Sequence, residues 1–78
     1  MNQFYFTSYE FLNRFTAQER AVIRSAAVQD IIIGDFQMLA LAAQGIYTDD
    51  PVTLSGMDYL VSQGILTQAR RDEILNTY

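Results

Sequence analysis

The sequence predicts an all-α protein: a compact bundle of about five short helices around a central buried helix spanning residues 30–44. Three observations carry this. The stretch Asp30 to Gln44 is too short to span a bilayer, and its apolar residues cover nearly the whole helical circumference. Helix-start signals recur along the chain, at Thr7 with Glu10, Thr16 with Glu19, Asp50 with Pro51, and Thr67. No stretch shows sustained period-two alternation bounded by hairpin turns, so no sheet is expected.

At 78 residues the chain is read as one domain, with an aromatic segment at residues 1–7. A domain of this size buries only roughly 60% of its unfolded surface, so good packing or a partner is needed for stability. The first helix opens at Thr7, which caps Glu10 while Glu10 reaches back; Phe6 is spaced to staple onto Phe11, and the helix ends near Arg14. The second opens at Thr16 and runs to about Val28. Its Val22, Ile23, Ala26 and Ala27 form a narrow apolar stripe, with Glu19, Arg20 and Arg24 expected in solvent.

Asp30 is the expected N-cap of the central helix, whose Ile32, Phe36, Leu39 and Ala43 share one face. Gly34 within it predicts a close helix crossing, since a glycine there costs about 1 kcal/mol relative to alanine. Leu41-Ala-Ala-Gln-Gly-Ile46 predicts a left-handed Gly45 with Ile46 folding back onto Leu41, and Leu60-Val-Ser-Gln-Gly-Ile65 repeats the same chemistry. Pro51 to Gln63 forms the fourth helix, with Leu54, Met57, Leu60 and Val61 inward and Gly56 a second candidate crossing point. Thr67 starts a last helix to about Asn76, with Ile74 and Leu75 inward.

Composition narrows the chemistry. The chain has no Cys, His or Lys, which removes thiolate, imidazole and Schiff-base catalysis and the usual zinc sites. Five Arg stand against nine carboxylates, a net charge of −4 that disfavours direct binding to nucleic acid. Residues Met1 to Phe6 lack the charged n-region of a signal peptide, so the protein is expected in the cytosol where it is made, and no membrane association is expected.

No catalytic or metal site and no cofactor emerges. Asp49 and Asp50 lack the ligand order of a cation loop, and Asp50 is explained as a cap. Asp35 within the central helix reads as partly exposed or paired with Arg20 or Arg24. Arg70 and Arg71 fall in the first turn of the last helix, the unfavourable end for a cation; they are read as solvated, paired with Glu73, or binding an acidic partner surface. A helix-turn-helix over residues 51–76 would offer only these two arginines to DNA. The candidate protein-binding residues are therefore Phe4, Tyr5, Tyr9, Tyr47, Arg70 and Arg71. Six of the ten aromatics lie between Phe4 and Phe15, more than a small core absorbs.

From Phe15 onward the chain resembles a group of small helical bacteriophage proteins encoded near virion or tail genes. The likeness rests on Phe-Thr-Ala-Gln-Glu-Arg-Ala-Val-Ile-Arg-Ser-Ala-Ala at 15–27, Asp35-Phe36 with Leu39 and Ala42-Ala43, Asp50-Pro51-Val52-Thr53, Gly56, Tyr59-Leu60, Gly64-Ile65-Leu66-Thr67 and Glu73-Ile74-Leu75. The resemblance implies a compact helical protein of phage origin and brings no catalytic residues. It leads to the expectation of a non-enzymatic phage interaction protein in virion or tail assembly, located in the host cytoplasm or carried in the virion. Its partner is then a virion or tail protein, or a second copy. A small acidic inhibitor of a host defence or transcription enzyme is the competing expectation.

Overall fold

In the computed structural model, which describes residues 5–76, the elements run β1 (Tyr5–Phe6), α1 (Ser8–Asn13), α2 (Ala17–Gln29), α3 (Ile31–Ala42), β2 (Ile46–Tyr47), α4 (Pro51–Ser62) and α5 (Gln68–Leu75). Over the described residues the molecule is an all-α bundle of five helices carrying one small sheet. Local chemistry sets the helix starts. Thr7 and Thr16 each accept a hydrogen bond from the amide three residues on, and Glu10 and Glu19 accept from the amides of Thr7 and Thr16 in return. Asp30 accepts from the amides of Ile32 and Ile33, Asp50 from Val52 and Thr67 from Arg70. Each such cap is worth about 1 kcal/mol.

The core joins Phe11 and Phe15, packed edge to face at 5.5 Å, with Ile23, Ile33, Met57, Leu60, Ile74 and Leu75. Phe6 packs against this core, as do Ala26, Ala27, Leu54 and Val61. A Cβ on Gly34 would sit 3.2 Å from the Ala27 carbonyl oxygen, so the glycine marks the close α2–α3 approach that its position predicts. Gly64 adopts φ +76°, and the amides of Ile65 and Gly64 donate to the carbonyls of Leu60 and Val61, which completes the expected left-handed stop.

Several expectations change. A two-stranded antiparallel sheet exists, pairing Tyr5 with Tyr47 and Phe6 with Ile46. Strands of two residues are too short to show alternation, and their pairing partners lie far apart in the chain. The Gly45 stop does not form: α3 ends at Ala42, Ala43 is extended, and the Ala43 carbonyl accepts a hydrogen bond from the Ser8 hydroxyl. Ile46 enters the core through β2 instead of covering Leu41. Glu19 and Arg20 are half-buried rather than fully solvated, and Val22 is exposed. Finally, α3 is central in that α1, α2 and α4 pack against it, but only Ile33 and Ala40 are fully buried along it.

Arginines tie the ends of the chain together. Arg70 forms a two-point ion pair with Glu19, Nε to Oε2 at 2.7 Å and Nη2 to Oε1 at 3.0 Å, and also donates to the Arg14 carbonyl. Arg14 lies over the Phe6 ring and donates to the carbonyls of Glu73, Ile74 and Asn76 at the end of α5. On the other side, the Tyr59 hydroxyl donates to Asp30 Oδ2 at 2.7 Å, so one carboxylate both caps α3 and holds α4.

These bonds set the acid limb of stability. The Arg70 hydrogen bond holds the Glu19 carboxyl below its ordinary value near 4.5, and the Tyr59 hydroxyl does the same for Asp30. Both folded values are depressed, so the stabilisation is complete above the unfolded values and is lost as pH falls through the folded ones. The thermal midpoint is expected to stay level down to about pH 5 and then to drop, with Glu19→Gln flattening that drop. A midpoint unchanged down to about pH 3 would contradict it.

Candidate protein-interaction surface

Helix α3 reads Ile-Ile-Ile-Gly-Asp-Phe-Gln-Met-Leu-Ala-Leu-Ala, with Asp35 its sole charged residue. Successive residues advance 100° around a helix, so apolar side chains on every side remain covered only if neighbours surround the helix. Here α1, α2 and α4 leave one side open, and Ile31 is 86% exposed, Met38 69% and Leu41 60%. Ile32 and Leu39, expected inward, are about half exposed. A small folded domain seldom leaves so many large apolar side chains uncovered on one element.

Between α3 and α4 this surface sinks into two open depressions of about 260 and 290 Å³. They share Phe36, Leu39 and Val52 and so lie next to each other along an α3–α4 trough. One end is bounded by Ile32 and Tyr59, the other by Ala43 and Tyr47. Gly56 explains the depth: the Phe36 ring occupies the space a Cβ would take there, so the ring lies directly against the α4 backbone. Gly56 thus receives a side chain where a helix crossing was expected. At the far end, the Tyr5 and Tyr47 rings meet across the sheet at a tilt of 59° with centres 4.8 Å apart, both about half exposed, and the Tyr5 ring rests on Gly45.

Charge is segregated around this trough. From Ser25 to Ala69 the sequence holds five Asp and no basic residue, while all five arginines lie outside that stretch. Asp35, exposed on α3, and Asp50, half-buried at the start of α4, line the trough; none of its described lining residues is basic. Arg20, one of the expected partners of Asp35, instead donates to the carbonyls of Leu12 and Phe15. A separate depression of about 200 Å³ between α2 and α3 is bordered by Arg20 and Arg24 over an apolar floor that includes Phe15 and Ile23.

Of the residues singled out from the sequence, Tyr5 and Tyr47 are brought together, and Tyr9 stands 79% exposed on α1. Phe4 lies outside the described residues. Arg70 and Arg71 are engaged within the molecule: Arg70 with Glu19 and Glu73, Arg71 with Asp72 and with Asp58, whose Oδ1 lies 2.8 Å from Arg71 Nε outside the direction of its N–H. Their guanidinium groups support the α2–α5 and α4–α5 packing. The trough itself was not singled out in the sequence, although its signals were present in the arginine-free stretch and in the Ile32, Phe36, Leu39, Ala43 stripe that lines one wall.

No protein-family model matches the chain, and no curated protein or solved structure matches it significantly. The likeness to small phage proteins therefore rests on the residues quoted for it above.

Proposed function

We propose that the protein is a non-enzymatic interaction module that docks a partner protein on the open side of α3, in the service of virion or tail assembly. The observation that carries this reading is the trough between α3 and α4, largely apolar, edged by Asp35 and Asp50, and reaching Tyr47 of the Tyr5–Tyr47 pair. Aromatic and aliphatic side chains clustered around a concavity are the usual anchors of a protein interface. The virion or tail partner is suggested by the sequence resemblance.

The Asp-only stretch from Ser25 to Ala69 favours a second reading, an acidic inhibitor that covers a basic groove on a host enzyme. One experiment separates the two. Tagged wild-type protein and Leu39→Ser are expressed during infection, purified, and compared by mass spectrometry. Wild type is expected to retain head or tail proteins that Leu39→Ser loses, with the variant's thermal midpoint falling by only a few degrees because Leu39 is half exposed. Recovery of a host nucleic-acid-handling complex, lost in the same variant, would replace the assembly reading with the inhibitor. Equal recovery by both proteins would remove the trough from either role.

A further inference from the structure

Resting on the docking reading above, we infer that the trough takes a basic amphipathic helix of the partner, about three turns long, with apolar anchors on the floor and Lys or Arg at the edge. The form of the occupant follows from the walls. Most of the lining is helix surface, whose backbone groups are already bonded within α3 and α4; only Gly45, Ile46, Tyr47 and Asp50, at one end, lie outside the helices, and the polar atoms on offer are few. A segment lying there must satisfy its own backbone hydrogen bonds, which a helix does and an extended strand does not. The two-residue strands β1 and β2 are too short to extend as a sheet.

The length follows from α3. Its 12 residues span about 18 Å at 1.5 Å per residue, which accommodates side chains at positions i, i+3 or i+4, and i+7 of an incoming helix. Phe36, Leu39 and Val52, shared by both depressions, form the contact surface for those anchors.

The charge follows from the edge. Asp35 and Asp50 border the trough with no basic side chain among the described lining residues, and the chain supplies none between Ser25 and Ala69. A cationic segment gains attraction there, and an acidic one is repelled. A second copy is the poorer occupant: it also carries a net −4, and its own open helix presents Asp35 as its single charge.

The test uses the full chain and three fluorescent peptides of about fifteen residues read by anisotropy. The first has Leu at i, i+4 and i+7 with Lys at the flanking positions. The second keeps the leucines and replaces Lys by Glu, and the third keeps Lys and scrambles the leucines. The Lys peptide is expected to bind at least roughly tenfold tighter than either control at low salt, and the margin is expected to shrink as salt screens the charges. Asp35→Lys should reduce or invert the preference for Lys over Glu while the midpoint of unfolding stays near wild type. Equal binding of the Lys and Glu peptides would overturn the charge assignment and leave the trough as an interface. Equal binding of the scrambled peptide would overturn the helical assignment. If no peptide binds and the protein sediments as a dimer that Leu39→Ser dissociates, the occupant is a second copy and the inference is wrong. If no peptide binds and the protein is a monomer, the inference fails, and the pull-down alone decides the docking reading.

Discussion

Replacing Phe11 by alanine should remove about 3–5 kcal/mol of stability, while replacing Tyr9, two residues earlier, should change it by less than about 0.5 kcal/mol. Phe11 is 1% exposed, meets Phe15 edge to face, and forms part of the floor under both the α3–α4 trough and the α2–α3 depression. Truncation would therefore cost the transfer energy of the ring and leave a void that the surrounding helices can fill only in part. A domain of this size has roughly 4–12 kcal/mol in total, so Phe11→Ala should be largely unfolded at 37 °C or lose most of its denaturant midpoint. Tyr9 is 79% exposed, and its backbone carbonyl accepts a hydrogen bond from the Asn13 side chain. Denaturant titrations of both variants, followed by circular dichroism, check the pair. A mild effect at Phe11, or a large one at Tyr9, would mean that α1 sits differently on the bundle.

The second large effect is expected at Arg14. Alanine there should cost about 2 kcal/mol, or a fall of roughly 8–16 °C in the thermal midpoint of a domain this small. The last carbonyls of a helix have no intrahelical donor, and the α5 end is closed by the Arg14 guanidinium, which donates to Glu73, Ile74 and Asn76. Its cation also sits 4.9 Å from the centre of the Phe6 ring. The loss stays below the sum of these contacts because Arg14 is half-buried and water can reach part of the site. Lysine should recover little: it keeps the charge but lacks the planar fork that reaches several carbonyls at once. A differential scanning series of wild type, Arg14→Lys and Arg14→Ala gives the answer. A lysine variant as stable as wild type would show that charge alone closes α5. Hydrogen exchange adds a second readout, since opening this clasp should expose the amides of α5 before those of α4.

The sequence by itself determined the all-α class, the starts of the helices and the glycine stop at Gly64. Those features are set within a span of about four residues: a threonine accepts from the amide three positions on, a carboxylate reaches back, and a glycine takes the left-handed turn. Such interactions need no partner from elsewhere in the chain, which is why Thr7, Thr16, Asp30, Asp50 and Thr67 all cap the helices they were expected to cap. The core positions Met57, Leu60, Ile74 and Leu75 were likewise legible from helical spacing.

The tertiary structure alone decided the rest. The same apolar composition in α3 fits a helix enclosed on every side and a helix left open on one, and only the number of neighbours distinguishes them. Three helices pack on α3, so Ile31, Met38 and Leu41 face outward. Gly45 could end a helix, but Ser8 takes the Ala43 carbonyl and the chain is drawn into pairing with β1. Arg14, Arg20 and Arg70 are flexible side chains whose bonds reach carbonyls and carboxylates set by the packing of α1, α2 and α5, and Arg14 and Arg70 reach across most of the chain's length. Local chemistry fixes where a helix begins; which of its faces is covered, and by what, depends on contacts between segments that only the folded chain brings together.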